Sequence, residues 1–412
     1  MTEALNIDLF SPDFRANPYP EYAQAREREP IYKVALPGGR STWLITRYED
    51  AEEILRDPRF IKDGRSLVPP DQRLEQRFPN AEVIRQVNDH MLSSDPPDHT
   101  RLRGLVNRAF TPRMVEQWRA RIQAIAEELL DAVQDKGEME LIGDFAFPLT
   151  MTVISEMLGI PQEDRLQFRE WSNIVISGFG DQESFMQRLP VMQAFAQYLA
   201  GLIVLRRKQP LDDLVSNLVV VEAEGDKLSE NELISMIFLL LIAGHETTVN
   251  LIGNGVLALL QHPEQLEMLR REPDLIRTAV EELLRYNGPL FTATGRWARE
   301  DVEFKGTLIR RGEMVMVGLA SANHDEEQFS HGEELDITRK ENPHLAFGKG
   351  IHYCLGAPLA RLEGQIAIGA LIRRFPHLRL KVDPQTLTWR SGTLVHALDR
   401  LPVAFSASGE QG

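Results

Sequence analysis

Ten residues, Phe347 to Gly356 (FGKGIHYCLG), hold the only cysteine of the 412-residue chain, two positions after His352 and among glycines at 348, 350 and 356. Glycines there let the backbone turn tightly and come close to a flat or bulky group. Ala357-Pro358 then opens a predicted helix, with proline tolerated in its first turn. Cys354 thus precedes a helix N-terminus, where the helix dipole and backbone N–H groups favour a thiolate. A thiolate is a nucleophile or a metal ligand. The nucleophile wants a histidine base and an oxyanion hole, and a side chain two residues away in a turn, as His352 is, seldom faces the sulfur. A metal held by one cysteine needs other ligands. A porphyrin supplies four, and haem iron with one axial thiolate fits a lone cysteine. The ordinary alternative is a buried, inert cysteine, which leaves the glycines and His352 without a purpose.

Three further stretches place polar chemistry in unusual settings. Ala243 to Thr248 (AGHETT) falls mid-way along a long apolar helix. Glycine costs about 1 kcal/mol against alanine in a helix interior, so this glycine and the polar residues after it need a reason. One is a threonine bonding back to the carbonyl of Ala243. The other is a local groove with room for a diatomic ligand, lined by the Thr247 hydroxyl and backed by the Glu246 carboxylate. Glu282 and Arg285 stand three apart on one helix face, a pair that at a surface contributes a few tenths of a kcal/mol; here apolar residues follow, at Pro289 to Phe291. Ser94 to Arg103 (SDPPDHTRLR) starts a helix with His99 and Arg103 in its first turns, where basic residues could form a solvated face.

The elements that must position these residues are legible in part. Ser229 with Glu232 makes a capping box, and helical residues continue to about His262, roughly 50 Å at the standard rise. Ile234 to Ala243 is apolar nearly all round, as in a helix buried through the middle of a large domain. Arg40 to Thr46 reads as a strand, Tyr48 to Arg56 as a helix, Val315 to Leu319 as a strand-like run, and about Pro358 to Phe375 as a last strong helix. Residues 62–98, rich in proline and charge, read as a long irregular loop, a type that often lines functional sites. The chain is 43% hydrophobic, ample for a large core in one domain or two. A single cysteine excludes an internal disulfide, an all-cysteine zinc site and an iron–sulfur cluster, and suits a reducing cytoplasm. The acidic, polar first residues contain no apolar signal region, and the longest apolar run, Ile234 to Gly244, is too short to cross a bilayer. A cytoplasmic protein without membrane attachment is expected. With 46 Lys+Arg against 61 Asp+Glu, the net charge of −15 argues against general nucleic-acid binding.

FGKGIHYCLG resembles the haem-binding signature of the cytochromes P-450, F-G-x-G-x-H-x-C-x-G, at every fixed position. The resemblance runs from about Asn17 to Phe405 and points to soluble bacterial members that tailor macrolides and other natural products. It implies a mainly α, triangular fold with a minor β part, a single domain over 1–412, with β-containing residues roughly 15–62, a helical core roughly 100–285 and the haem loop at 347–356. It makes Cys354 the proximal ligand of haem b. It places His352, His99, Arg103 and Arg296 on the propionates, the latter three by likeness to D-P-P-x-H-x-x-x-R and to a further propionate arginine. AGHETT resembles the family's oxygen-binding motif, with Glu246 and Thr247 catalytic. Glu282 and Arg285 resemble its E-x-x-R, a buried network completed by an arginine that Arg339 resembles. The pocket would be lined by the 62–98 loop, residues near Phe179, Leu239, Ala243, Leu290, Phe291 through Thr294, and Leu394. One departure stands at His324-Asp325-Glu326-Glu327, where the family usually has R-D-P.

The activity so implied is insertion of one oxygen atom from O2 into a lipophilic small molecule. No fused reductase is expected, so electrons from NAD(P)H would arrive through an external ferredoxin or flavodoxin with its reductase. Arg103, Arg108, Arg113 and Arg361 are candidates for a patch that docks such an acidic carrier, and the protein is expected to be a monomer. A peroxide-driven peroxygenase would be expected to lack the Glu246-Thr247 pair. That pair also counts against a haem-based sensor or carrier, and a cysteine hydrolase is more distant.

Overall fold

A computed structural model describes residues 7–36, 39–69, 86–176, 182–222 and 227–406. Five helices carry the residues of interest: α1 (Tyr48–Arg56), α2 (Asp98–Ala109), α3 (Glu230–Gln261), α4 (Ile276–Asn287) and α5 (Ala357–Arg374). The main sheet has five strands, β1 (Ile31–Leu36), β2 (Arg40–Ile45), β3 (Phe60–Ile61), β4 (Arg296–Ala298) and β5 (Met314–Val317). By contacts the chain forms two compact units. One comprises Met1–Ile61, Arg119–Leu149 and Thr247–Gly412; the other comprises Lys62–Trp118 and Thr150–Glu246. The division falls within α3.

The first unit holds the sheet, in the order β1-β2-β5-β4-β3. β2 and β5 run parallel, and the other neighbours are antiparallel. The register sets Arg296 opposite Val315 on β5. α1 follows β2 and buries Tyr48, Ala51, Ile54 and Leu55 on one face, at the spacing of a helix that packs on one side. These residues join Ile45, Phe60, Val315, Phe329 and Leu345 in one apolar core. α5 packs against α4 and against the helix Arg119–Asp131.

The second unit is helical. Phe195 is its aromatic centre, with Phe168 edge-on at 5.2 Å and Phe238 at 5.4 Å. A buried ion pair, Arg206 Nε to Asp213 Oδ2 at 2.5 Å, ties the helix Gln182–Lys208 to the turn after it, and Asp213 also accepts from Ser216 N. The predicted capping box is present: Ser229 N donates to Glu232 Oε2 at 2.7 Å and Glu232 N to Ser229 Oγ at 3.2 Å. Arg101 of α2 also donates to Glu232. Burial pushes the Glu232 carboxyl up, but these hydrogen bonds outweigh it and hold it below the usual range.

The predicted strand and helices lie within two residues of their expected bounds. Of the predicted 62–98 loop, the described residues contain short turns at Gly64–Leu67 and Met91–Ser93; residues 70–85 lie outside the described residues. Among the described residues, two helices are long and apolar enough to cross a membrane by composition alone, Arg188–Lys208 and α3. They look like core helices: 67% of the most apolar window of α3 is buried inside the protein.

Candidate functional site

The cysteine loop is shaped by its glycines and by α1. Gly348 and Gly350 adopt φ of 67° and 71°, a region that L side chains disfavour. A Cβ at Gly350 would lie 2.7 Å from the Leu55 carbonyl oxygen of α1, so only glycine allows the loop to rest there. Lys349 pairs with Glu52 of the same helix at 3.1 Å. The loop closes on itself where Cys354 N donates to Phe347 O at 2.9 Å. Cys354 is half-buried, and a Cβ at Gly356 would meet only its sulfur, at 3.9 Å. Among the described residues no three His, Cys, Asp or Glu side chains are grouped to hold a metal. An ion at Cys354 must therefore bring its remaining ligands with it. A lone thiolate donor in a glycine-lined loop fits haem, whose porphyrin supplies four nitrogens.

Behind the loop lies a buried ion network. Arg285 donates to both oxygens of Glu282, at 2.8 and 2.7 Å, and to the carbonyls of Asn323, Gly332 and Glu334 at 2.9, 2.6 and 2.7 Å. Glu282 also accepts from Arg339 Nε, Asn342 Nδ2 and Asp336 N, at 3.0–3.3 Å. Both side chains of the central pair are fully buried. Arg339 thus joins the buried pair through Glu282.

On α3, Leu240, Ala243, Gly244 and Thr247 are partly open while Leu241, His245 and Thr248 are buried. Their i, i+3, i+4, i+7 spacing makes one stripe, bordered by Ile242 and Glu246. A Cβ at Gly244 would press on Ile154 Cδ1 at 3.3 Å, so glycine permits close packing there. His245 turns its Nδ1 to the Leu241 carbonyl at 3.1 Å. Leu239 is buried beside the stripe.

The remaining predicted site residues divide between the units. Arg296 is buried on β4, and His352 ends the short turn Gly350–His352. Both share the unit of Cys354 and Thr247. His99 and Arg103 on α2 share the unit of Leu239, Ala243 and Glu246. His99 is buried, and burial followed by the charge of Arg103 pushes its imidazole pKa down. Leu290 pairs with Val395 in a β-bridge, and Phe291 N donates to Leu394 O. Leu290 and Leu394 are half-buried, but Phe291 turns into the core, its ring 4.4 Å from His396 and 6.2 Å from Phe14. Phe179 lies outside the described residues. Arg361, expected in a docking patch, is held bidentately by Glu281 at 2.7 and 2.8 Å; Arg108 and Arg113 are exposed.

A family model, Cytochrome P450, matches residues 6–398. The chain belongs to the cytochrome P450 family. It is 47% identical to the polyketide biosynthesis cytochrome P450 PksS of Bacillus subtilis over 98% of this chain and 100% of that one. It is 46% identical to the vitamin D(3) 25-hydroxylase of Pseudonocardia autotrophica over 97% and 96%. Among solved structures, a myxobacterial cytochrome P450 in complex with myristic acid superposes with a TM-score of 0.91 at 45% identity, covering 97% of this chain and 98% of that one. This P450 has the mainly helical family fold. It is a haem b monooxygenase that incorporates oxygen from O2.

Two histidines of this P450 lie outside the predicted site. His324, where the family usually has arginine, is buried. Its Nε2 lies 2.7 Å from Tyr286 O, its Nδ1 3.2 Å from Glu333 Oε2, and its ring stacks on Tyr19 at 4.1 Å. Asp325 Oδ2 accepts from Tyr48 N at 2.8 Å, so the segment is fixed without the family's proline. His396 is sandwiched between Trp389 at 4.0 Å and Phe291 at 4.4 Å. Burial pushes its pKa down to about 3. The folded protein thus keeps His396 neutral while the unfolded chain takes up a proton near pH 6.5. The stability it contributes is complete above about pH 6.5 and is lost as pH falls towards about 3. His396→Gln should remove up to about 1.4 kcal/mol per pH unit from that acid slope, read from urea unfolding across the range. An unchanged slope would show that His396 does not titrate on unfolding.

Proposed function

We propose that residues 1–412 act as one catalytic domain in which Cys354 ligates the haem iron and Glu246 and Thr247 deliver protons. The partly open stripe of α3, with Thr247 on it and Glu246 at its border, carries this reading. When bound, haem supplies the activation of dioxygen and the transfer of one oxygen atom to a substrate C–H bond. Arg296, His352, His99 and Arg103 hold its propionates; buried carboxylates need such partners, because an unpaired buried charge is costly. The Thr247 hydroxyl both donates and accepts, so it can hold a proton-bearing water deep in an apolar helix, where a water otherwise lacks its two to four polar partners. Glu246 exchanges protons between that water and solvent. Leu240, Ala243, Leu290 and Leu394 give the substrate an apolar wall, with Phe291 and Leu239 behind it.

The substrate is lipophilic and of medium or large size. The names of similar proteins point the same way: a polyketide, a vitamin D and a fatty acid. A role in natural-product tailoring follows. Electrons reach the haem from a separate ferredoxin or flavodoxin and its reductase, in the cytoplasm, and the protein acts as a monomer.

Thr247→Ala tests the proton assignment. Alanine keeps the helix, so haem content, substrate affinity and NAD(P)H consumption should stay near wild type while most of the product is replaced by hydrogen peroxide. Glu246→Ala should instead slow turnover by about 10²-fold or more, as for loss of a positioned proton donor. The ratio of product to NAD(P)H consumed decides, measured with more than one substrate. A wild-type ratio in Thr247→Ala would make the hydroxyl a structural helix residue.

A further inference from the structure

The cysteine loop has a second support that the haem-ligand assignment does not use. Arg361, about one turn into α5, donates through Nε and Nη2 to the two oxygens of Glu281 on α4, at 2.7 and 2.8 Å. Its Nη1 reaches the Tyr353 hydroxyl at 3.2 Å, and its guanidinium lies 4.5 Å from the centre of the Phe347 ring. His344 completes the group. Ala346 N donates to its Nδ1 at 3.2 Å, so the ring proton is on Nε2, which donates to Glu281 Oε2 at 3.2 Å. The His344 and Phe347 ring centroids lie 5.9 Å apart, and those of Phe347 and Tyr353 6.3 Å. Burial pushes the Glu281 carboxyl up, but the hydrogen bonds from His344 and Arg361 overcome it and hold its pKa at about 2. Glu281 is therefore an anion wherever the protein is folded, and its charge cancels that of Arg361.

This geometry has two consequences. The residues gripped, Phe347 and Tyr353, flank Cys354, whose N–H donates to Phe347 O. Holding the Phe347 ring and the Tyr353 hydroxyl fixes the direction of the backbone dipoles around the sulfur, and hydrogen bonds around a thiolate ligand tune its iron. The clamp also places a cation and an anion beside the loop in a compensated pair, so the loop feels little net charge from them.

We propose that Arg361, Glu281 and His344 are positioning residues: a charge-compensated clamp on Phe347 and Tyr353 that sets the reduction potential of the haem. The proposal rests on Cys354 being the haem ligand. It changes the role of Arg361 from a docking cation to an internal one.

The potential itself is the readout, measured by dye-mediated redox titration of the haem-loaded protein with no electron carrier present. Arg361→Gln leaves the Glu281 anion uncompensated, which disfavours adding an electron, and should lower the potential. Glu281→Gln leaves the cation uncompensated and should raise it. The double variant restores neutrality and should fall between the two single variants. Each single shift should reach up to about tenfold in the reduction equilibrium, which is about 59 mV for one electron. A loop that merely loosens would move both single variants the same way. That result, or no shift in either, overturns the proposal. If the Gln variants fail to load haem, Arg361→Lys and Glu281→Asp keep both charges and should hold the potential near wild type; a large shift in either overturns the compensation. The carbon monoxide spectrum of the reduced wild-type protein, recorded first, separates the two claims. Absence of a thiolate band there defeats the ligand assignment, whereas a thiolate band with the wrong pattern of potentials defeats the clamp alone.

Discussion

Cys354→Ser should abolish the red-shifted Soret band that the reduced carbon monoxide complex of a thiolate-ligated haem shows. A serine hydroxyl is far weaker as an acid than a thiol and does not supply an anionic sulfur donor. The substitution is otherwise mild. The hydrogen bond that closes the loop joins the backbone of residue 354 to Phe347 O, so it survives, as do the glycine turns at 348 and 350 and the seat of the loop on α1. Circular dichroism should be unchanged while the band is lost. Monooxygenase turnover should be lost with it, because the thiolate pushes electron density that favours O–O cleavage. A wild-type band in Cys354→Ser would remove Cys354 from the iron.

Arg285→Ala should prevent stable folding. Its guanidinium satisfies both oxygens of Glu282 and the carbonyls of Asn323, Gly332 and Glu334. Removing one partner of a buried ion pair costs about 3–5 kcal/mol, and each buried acceptor left unsatisfied adds about 1–3 kcal/mol. A protein domain has only about 5–15 kcal/mol in total. Arg339 remains on Glu282, at 3.2 Å, but it cannot reach all the orphaned carbonyls at once. Arg285→Lys keeps the charge and loses the planar fork, so it should recover part of the stability and not all of it. Soluble yield, haem content and the urea midpoint measure the series. A wild-type midpoint in Arg285→Ala would mean that the network is dispensable and that the segment from Asn323 to Glu334 is held by other contacts.

Where a signal is local, it was in the sequence. The cap at Ser229 and Glu232, the amphipathic run of α1 and the left-handed glycines around Cys354 each depend on a few neighbouring residues, and the helix or turn they specify followed. The pair Glu282 and Arg285 was legible for the same reason, since a spacing of three fixes one helix face. What the tertiary structure decided is where each side chain finds its partner. Arg361 reads as a surface cation because Glu281, which neutralises it, stands 80 positions earlier. Phe291 reads as pocket lining beside Leu290, but packing against Phe14 and His396 turned its ring inward. His324 reads only as a departure from the family's arginine. The fold instead buries it on Tyr19 and against Glu333. Residue type and short spacing therefore nominate the residues for the chemistry, because both are local. Which charges are compensated and which faces are open depends on chain segments that meet only on folding, and the tertiary structure alone decided it.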